Sequence, residues 1–495
     1  MKGVEDMHMI RLDERLGAIA ALAEEIIGGK ASPRAADIGC DHGQLTAYLL
    51  ERNPALEMIA SDVSAPSLEK ARRLLAQKGL AGRAALAVAD GLGAVDTKLD
   101  VIIIAGMGAQ TILKILTEGR ARIGGAAVIM QANVDLPMLR TQLAAQGFAV
   151  EREICTQAAG RHYVTLAARL GGPRQIGERE ALLGAAAHGD MDEGHRAYFL
   201  WQRGVRVREM ERVAPLHSEN ARNRMDKNSE ELRWISEALN MHTCRVSDME
   251  KLVGDIAPYE LAEEWDNVGL LVGRAGAEVS RVLVALDLTD AVIAEAEALG
   301  AQAIVTHHPI MFSARKRVTD DDREGRMMLT LAEKGIAHIA VHTNLDAAQG
   351  GVNDVLMQRL GAKNVTGAGF VRIGDLDEGM TLDALAARAE KSLKARVRVY
   401  GAGNTKVTKL GCCSGAGSSE IAQAAALGAD CFITGEVKHN LALDAMDLGC
   451  CVIEAGHFET ENPVCEVLAG ALQNAADELK YNVTVFCSRV NPFGR

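Results

Sequence analysis

Short apolar runs alternate with amphipathic stretches between about residue 11 and residue 170. The apolar runs have the length of buried strands, and the stretches between them repeat their apolar residues at helical spacing. Such alternation is typical of an α/β fold with a mostly parallel sheet covered by helices on both faces. We predict strands at 35–38, 57–60, 84–89, 101–105 and 126–130, and helices at 45–51, 67–77, 111–116 and 136–145.

Two further apolar runs, at 148–155 and 162–168, leave too few residues between them for a helix and predict an antiparallel hairpin at the sheet edge. The polar stretch 177–240 has no strand-like run. Its apolar spacing predicts two or three amphipathic helices, in a hairpin or coiled coil, with a turn near Pro215. The basic residues of this stretch predict either phosphate contacts or a solvated helix face: Arg203, Arg206, Arg208, Arg212, Arg222, Arg224 and Lys227.

A second α/β block follows, with strands predicted at 283–286, 303–305, 338–341 and 451–453. The length of 495 residues is enough for two to four domains. We expect three segments, at 10–172, 173–245 and 246–495.

Composition narrows the class of protein. With 48% hydrophobic and 24% charged residues, the chain is neither disordered nor fibrous. No apolar run reaches the roughly 18 residues of a membrane span, and the first residues lack a signal-peptide core, so we expect no membrane association. The ten cysteines show no Cys-x-x-Cys spacing, which indicates reduced thiols and a cytoplasmic protein. The net charge of −12 leaves room for a local RNA-binding face only.

Acidic residues and glycines follow the first strands, at the sheet edge where ligands bind in such folds. They are Asp37, Gly39 and Asp41 after the first strand, Asp62 after the second and Asp90 after the third. A carboxylate can accept both hydroxyls of a ribose, and Asp90 suits an adenine amino group. The acids would repel a pyrophosphate but suit ammonium and sulfonium charges. The pattern favours S-adenosylmethionine, with a purely structural turn as the alternative.

Four strings make this block resemble the TrmK family, the tRNA (adenine-N(1))-methyltransferases that act on position twenty-two. The strings are ADIGCDH at 36–42, DGL at 90–92, IAGMG at 104–108 and QAN at 131–133 followed by Arg140, and the resemblance runs from about residue 10 to residue 240. Family members usually have Gln-Pro-Asn where this chain has Gln131-Ala132-Asn133, and a glutamate where Asp62 stands.

The resemblance implies a Rossmann-like class I methyltransferase sheet that binds S-adenosylmethionine, with tRNA as partner of the helical stretch. The expected cofactor-binding residues are Asp37, Gly39, Asp62, Asp90 and Gly106. The candidates for catalysis and target-base contact are Asp41, His42, Gln131, Asn133 and Tyr163. Two alternatives stay open, since His42 could cap the following helix and Tyr163 could pack within the hairpin.

Histidines and carboxylates follow strands of the second block in the same way. His307 and His308 end one strand, and Asp346 lies shortly after another. His457 and Glu461 are four residues apart, so a helix that begins there presents both on one face. Three imidazoles and two carboxylates exceed the needs of one tetrahedral zinc ion and suit two divalent ions, with zinc, iron, manganese and cobalt all compatible. Any one histidine alone would more simply be a hydrogen-bonded core residue.

The second block resembles the GTP cyclohydrolase type 2 homologues, also called the Nif-three-like or DUF thirty-four family. The strings are EWDNVGL at 264–270, HHP at 307–309, HTNLD at 342–346, TGE at 434–436 and GHFETE at 456–461. The resemblance implies a dinuclear site with the five ligands His307, His308, Asp346, His457 and Glu461, in a ring-shaped homo-hexamer.

Together the two resemblances predict a fusion of a tRNA methyltransferase with a dinuclear metal protein. Two alternatives belong to other classes. The main activity could be metal-dependent hydrolysis of a nucleotide or phosphoester, or the metal half could be a non-catalytic scaffold. A glycine-rich segment at 414–418 could form a backbone nest for an anion or a structural turn.

Overall fold

The fold is described from a computed structural model, which defines residues 10–96, 98–216 and 218–494. The chain forms two compact units. One contains the residues up to 206 together with 229–239, and the other contains 207–228 and the residues from 240 onward. No helix within the described ranges is both long and apolar enough to cross a membrane.

Seven strands form the sheet of the first unit. They are β1 (Arg34–Ile38), β2 (Glu57–Asp62), β3 (Ala84–Val88), β4 (Val101–Met107), β5 (Ala127–Ala132), β6 (Phe148–Ala158) and β7 (Arg161–Leu170). Their order is β3-β2-β1-β4-β5-β7-β6, and β1 to β5 are parallel. β7 is antiparallel to both β5 and β6. The predicted parallel sheet with an edge hairpin is therefore confirmed, and the run at 101–104 is fully buried, as a central parallel strand requires.

Seven α-helices accompany this sheet within the part of the chain that the structure describes. They are α1 (Glu14–Ile27), α2 (Gln44–Arg52), α3 (Ala65–Gln77), α4 (Ala109–Glu118), α5 (Arg120–Ile123), α6 (Leu136–Ala145) and α7 (Glu178–Leu183). The four predicted helices correspond to α2, α3, α4 and α6. The sequence did not predict α1, which begins where the Asp13 carboxylate accepts a hydrogen bond from the Leu16 amide at 2.7 Å.

The polar stretch forms two long helices, α8 (Glu193–Val213) and α9 (Glu219–Ala238), on either side of Pro215, as predicted. Arg203 is only 4% exposed, and Arg206 Nε donates to Glu231 Oε2 at 2.8 Å. Phosphate contact is therefore the wrong prediction for these two arginines, because both side chains pack inward. The other five basic residues of the stretch are exposed, although Arg212 and Arg224 both form ion pairs with Glu209.

A buried ion pair fixes the start of the helical stretch to the sheet. Arg140, on α6, is 4% exposed and pairs with Glu153 of β6. Its Nη1 also donates to the carbonyl oxygens of Ala181 at 2.9 Å and Leu182 at 2.8 Å. One guanidinium thus holds α6, β6 and the end of α7 together through charge-assisted bonds.

The second unit contains two sheets and a short strand pair. Its strands are β8 (Cys244–Arg245), β9 (Gly269–Val272), β10 (Glu278–Val279), β11 (Arg281–Ala285), β12 (Ala303–Thr306), β13 (Ala337–Ala340), β14 (Lys363–Ala368), β15 (Val371–Thr381), β16 (Arg398–Tyr400), β17 (Lys406–Cys412), β18 (Cys431–Thr434), β19 (Cys451–Glu454) and β20 (Thr484–Cys487). The sheet orders are β20-β11-β12-β13-β9 and β14-β15-β17-β18-β19-β16. The four predicted strands correspond to β11, β12, β13 and β19.

Ten further α-helices of this unit lie between residues 240 and 494, all of which the structure describes. They are α10 (Val246–Ile256), α11 (Asp290–Leu299), α12 (Arg323–Lys334), α13 (Thr343–Ala347), α14 (Val352–Arg359), α15 (Leu382–Leu393), α16 (Ile421–Ala426), α17 (His439–Asp447), α18 (His457–Glu461) and α19 (Pro463–Glu478). β12 and β13 are parallel neighbours in the first sheet, and β17, β18 and β19 are parallel in the second. The segments that follow β12, β13 and β19 carry the predicted metal ligands, so both sheets contribute to one site.

Candidate functional sites

The first candidate site lies beyond the carboxyl end of β1. Asp37 is 5% exposed and accepts a hydrogen bond from Thr46 Oγ1 at 2.7 Å. Burial, together with the nearby charge of Asp62 and against the hydrogen bond from Thr46, raises its pKa to about 6. This carboxylate is therefore costly to ionise until a cation approaches it.

The turn after β1 brings main chain close to the cleft. Gly39 has a φ of +76°, and a Cβ at this position would lie 2.3 Å from Met107 Cε. Asp41 also has a positive φ, of 46°, and its amide donates to Asp62 Oδ2 at 3.0 Å. The other oxygen of Asp62 accepts from the Ser64 amide at 2.8 Å. Asp62 therefore fixes the turn, whatever else it binds.

A cavity of about 1020 Å³ opens beside this turn. Of the predicted residues it is lined by Asp37, Gly39, Asp41, His42, Gly106, Asn133 and Tyr163. Its described lining does not include Asp62, Asp90 or Gln131. Asp90 is highly exposed and lies 3.8 Å from Lys114 Nζ. The structure thus brings most of the predicted cleft residues together and leaves Asp90 on the open surface.

Gln131 and Asn133 support the cleft in different ways. Gln131 is fully buried, and its Oε1 accepts from Arg15 Nη1 at 3.1 Å. Asn133 lines the cavity and donates through Nδ2 to the Gly106 carbonyl at 2.9 Å. Gln131 therefore reaches the cavity through Arg15, a residue of α1 that the sequence did not single out. Arg15 also lies over the Tyr163 ring, 5.8 Å from its centroid.

His42 lies on the acidic side of the cavity. Its Nε2 is 3.4 Å from Asp41 Oδ1 and 3.0 Å from Lys70 Nζ. The helix-capping alternative receives no support, because the first turn of α2 has no side-chain cap among the described residues.

The second candidate site is a cluster of histidines and carboxylates whose lone pairs face one another. His307 Nδ1 donates to the Val341 carbonyl at 3.0 Å, and His308 Nδ1 donates to Asp287 Oδ1 at 2.8 Å. His457 Nδ1 likewise donates to Glu436 Oε1 at 2.7 Å. Because these oxygens accept, each Nδ1 carries a hydrogen, and each Nε2 presents its lone pair to a metal ion when the ring is neutral.

The Nε2 atoms converge on buried carboxylate oxygens. His308 Nε2 and His457 Nε2 lie 3.2 and 3.1 Å from Glu461 Oε2, and His307 Nε2 lies 3.7 Å from Asp346 Oδ1. Among the described residues, His307 Nε2, Asp346 Oδ1 and Glu461 Oε2 are buried without a hydrogen-bond partner. Imidazole lone pairs and carboxylate oxygens that face one another in a buried site need cations between them. The hydrogen bonds that the Nδ1 atoms donate are of the kind that orients metal-binding imidazoles. The five predicted ligands therefore fit divalent metal ions.

Protons are the competing cations at this cluster. Burial lowers the pKa of His308, but its hydrogen bonds with Asp287 and Glu461 outweigh burial and raise that pKa to about 10. The hydrogen bond with Glu461 raises the pKa of His457 to about 9. Metal binding should therefore release protons from the site.

The structure adds His342 and Asp266 to the predicted set. The His342 ring lies 5.1 Å from that of His307 and 5.5 Å from that of His308. Its Nδ1 donates to Asp266 Oδ1 at 2.9 Å, and Asp266 Oδ2 accepts from the Thr343 amide at 2.9 Å. Both residues lie in strings that carried the resemblance, which was the only signal for them in the sequence.

Exposed aromatic rings border this cluster. Trp265 and Phe312 are 57% and 55% exposed, and their ring centroids are 5.6 Å apart. Phe312 also lies 5.6 Å from the His342 ring. An apolar, planar surface thus adjoins the histidines.

Main chain forms the wall of the cluster on another side. Gly415 has a φ of +57°, and a Cβ there would lie 2.0 Å from Glu461 Oε1. A Cβ on Gly435 would lie 2.7 Å from the Cα of His457. The amides of Ser414 and Gly415 donate to Asn353 Oδ1 and Thr460 Oγ1 at 2.7 and 3.1 Å. Since these amides are already bonded, the segment is a structural turn and the anion-nest interpretation is not supported.

Comparison with known proteins identifies relatives of both halves. Residues 244–492 match the family model described as Duf34/NIF3 (NGG1p interacting factor 3), and residues 12–166 match a model described as methyltransferase domain. The GTP cyclohydrolase 1 type 2 homolog of Clostridium acetobutylicum is 34% identical over 258 residues, which cover 50% of this chain and 96% of that protein. Both predicted resemblances, to a methyltransferase and to the Nif-three-like proteins, are confirmed.

Solved structures similar to the chain fall into the same two groups. A Bacillus cereus protein related to NIF3 is 25% identical, covers 50% of this chain and 98% of its own, and gives a TM-score of 0.48. The B. subtilis M1A22 tRNA methyltransferase TrmK is 22% identical, covers 46% of this chain and 99% of its own, and gives a TM-score of 0.40.

Proposed function

Because the chain belongs to the Duf34/NIF3 family and also carries a methyltransferase domain, we propose that it joins a tRNA (adenine-N(1))-methyltransferase to a divalent-metal-binding domain. The methyltransferase segment is 10–172, the tRNA-binding helices lie in 173–245, and the metal-binding segment is 246–495. The protein acts in the cytoplasm, and its metal half assembles it into a homo-oligomer, as the hexamers of the resembled family suggest.

The observation that carries the proposal for the first half is the buried carboxylate of Asp37 in the lining of the cavity. A methyltransferase domain implies S-adenosylmethionine, whose ammonium and sulfonium charges offset the cost of ionising Asp37. Asp37, Gly39 and Gly106 line the cavity and would bind the cofactor there, and the proposal assigns its ribose and adenine to Asp62 and Asp90, which lie outside that lining. S-adenosylmethionine supplies the methyl group when it is bound.

The chain's own residues have a limited chemical task in this reaction. The adenine N1 atom has a lone pair and no proton to lose, so no strong base is needed. The protein must hold the base in line with the methyl carbon and the sulfur, which lowers the barrier through proximity and orientation. Asp41, His42 and Asn133 line the cavity for this purpose, with Gln131 behind them. The product is cationic, and the Asp41 carboxylate favours that developing charge.

Selection of tRNA rests on the string similarity to the TrmK family and on the helical stretch. Arg208, Arg222 and Lys227 are exposed on α8 and α9 and supply phosphate contacts. The N1 atom lies on the Watson–Crick edge, so the target base must leave its stack before it can react.

The test is transfer of a labelled methyl group from S-adenosylmethionine to unmodified tRNA transcripts, followed by mapping of the modified position. Asp37→Asn should abolish transfer, whereas Asp96→Asn, a change at an exposed acid of the same unit, should leave it intact. Replacing the mapped adenine by guanine should remove the product. Absence of transfer to every tRNA tested would refute the proposal.

A second candidate function belongs to the metal half, and the facing lone pairs of His307, Asp346 and Glu461 favour it. With His308 and His457, these residues hold two ions of zinc, iron, manganese or cobalt. Such ions supply Lewis-acid polarisation of a phosphoryl oxygen. The exposed rings of Trp265 and Phe312 suit a substrate with a planar group, so the candidate activity is hydrolysis of a nucleotide or related phosphoester.

Metal analysis of the purified chain tests this half directly. We expect about two ions per chain, their loss in His307→Ala, and their retention in the control His439→Ala, a change at an exposed histidine of the same unit. A panel of nucleotides and phosphoesters, with each metal, then tests hydrolysis. Bound metal without turnover of any compound would favour the scaffold role instead.

A further inference from the structure

Two aromatic rings stack in the lining of the cavity beside the β1 turn. Trp201, on α8, lies 5.1 Å from the ring of His162, near the start of β7, with an angle of 28° between the planes. Both residues line the cavity that Asp37 and Asn133 also line. The helical stretch thus contributes a side chain to the cleft itself.

The Trp201 ring is held in place but is not covered. Its position is fixed by Tyr198, 5.8 Å away, which is itself only 8% exposed and accepts a hydrogen bond from Gln202 Nε2 at 2.7 Å. Trp201 nevertheless keeps 40% of its surface exposed. Fixing a large apolar ring while leaving 40% of its surface in water gives no packing benefit at that surface, but it leaves apolar area for a planar ligand.

The other aromatic side chain of the lining suits this role less well. The Tyr163 ring has the Arg15 guanidinium over it, and Arg15 is itself bound to the buried Gln131. A base that stacked there would have to displace a bonded cation. The His162–Trp201 pair has no such requirement, and burial lowers the pKa of His162, which favours the neutral form of its ring.

The cavity has room for a base as well as a cofactor. Its volume of about 1020 Å³ lies just above the range for single small-molecule sites, about 300–1,000 Å³. The acidic residues lie around the β1 turn, and the aromatic pair comes from the edge hairpin and α8. A cofactor against the acids and a nucleobase against the rings would use both sets of groups.

We propose that His162 and Trp201 form the stacking platform that receives the extruded target base of the RNA. This inference rests on the proposed tRNA methyltransferase function and adds a positioning role to α8. A base that leaves the RNA helix loses stacking on both of its neighbouring bases. Stacking on the platform replaces one of these two interactions.

The experiment compares the wild-type full chain with Trp201→Ala, Trp201→Phe and the control Trp234→Phe. Loss of one base–aromatic stack should lower kcat/KM for tRNA about 5- to 150-fold in Trp201→Ala. Trp201→Phe should recover much of that loss, and Trp234→Phe should behave as wild type. Binding of S-adenosylmethionine, measured by calorimetry, should be the same in all four proteins.

A second measurement separates stacking from packing. The wild type should bind intact tRNA more tightly than a tRNA with an abasic nucleotide at the methylated position, whereas Trp201→Ala should bind the two equally. Unchanged kinetics in Trp201→Ala, or the same preference for intact tRNA as the wild type, would overturn the inference while leaving the proposed function standing. Loss of cofactor binding in both Trp201 variants would assign a packing role and also overturn it. No methyl transfer by the wild type would refute the proposed function itself.

Discussion

Removal of the charge at Asp37 is the sharpest perturbation of the first site. The pKa of this carboxyl is raised to about 6, so about one-tenth of the free protein is ionised there at pH 5 and nearly all of it at pH 7.5. If the cofactor binds only the ionised form, its apparent affinity should fall roughly tenfold from pH 7.5 to pH 5. Binding at pH 6 should release about half a proton.

The same shift predicts the stability of the cofactor-free protein. Because the folded pKa lies above the unfolded value, the contribution of Asp37 is fully present below about pH 4 and is lost as pH rises through 6. The loss amounts to roughly 3 kcal/mol for a shift of about two units. Asp37→Asn keeps an acceptor for Thr46 and removes the titration. The variant should therefore be more stable than the wild type at pH 7 and should bind the cofactor poorly.

Calorimetry in two buffers of different ionisation enthalpy measures both the affinity and the proton release. Urea unfolding of the wild type and Asp37→Asn at pH 4 and pH 7 measures the stability difference. A cofactor affinity that stays constant from pH 5 to pH 7.5 would refute the reasoning, as would equal binding by Asp37→Asn.

Three further outcomes are expected. Glu153→Gln leaves the buried Arg140 guanidinium without its counter-charge and should cost about 3–5 kcal/mol of unfolding free energy in the first unit, measured by denaturant titration; a cost below 1 kcal/mol would contradict the buried pair. Gly415→Ala places a methyl group within 2.0 Å of Glu461 Oε1 and should reduce bound metal at least tenfold by elemental analysis, and normal metal content would show that the wall can yield. Chelation should lower the melting temperature of the wild type but not that of His307→Ala. The loss corresponds to up to about 4 kcal/mol of unfolding free energy if the free metal ion was at a thousand times its Kd before chelation. Equal shifts of the melting temperature in both proteins would argue against a metal at His307.

Local patterns account for what the sequence could predict. The strands of the first sheet were found because their apolar runs are continuous, as buried parallel strands require. One rule predicted that His307, His308 and Asp346 lie together, because polar residues that follow neighbouring parallel strands meet at one sheet edge. His457 and Glu461 follow β19 in the other sheet, and the family resemblance joined them to that group. The i, i+4 spacing of His457 and Glu461 predicted that both side chains lie on the same face of a helix.

The missing features depend on contacts between residues far apart in the chain. Arg15 enters the cleft because α1 packs beside β5, and Trp201 reaches it from a helix whose pattern fixes no unique buried face. Because the pattern of α8 does not show which face is buried, the sequence wrongly predicted a phosphate contact at Arg203, whose side chain points inward. His342 needed the position of Asp266, 76 residues earlier, before its orientation could be known.

The glycines behind Glu461 constrain how this half of the protein could change during evolution. Where main-chain peptide groups form the wall of a site, a point mutation can only add a side chain that fills the site. Substitutions in that wall should therefore rarely produce a new ligand selectivity. Variation in what the metal half accepts is therefore confined to the border that side chains form, around Trp265 and Phe312. Libraries that randomise those two positions should yield altered ligand preference, and libraries directed at 415 and 435 should yield mainly inactive protein.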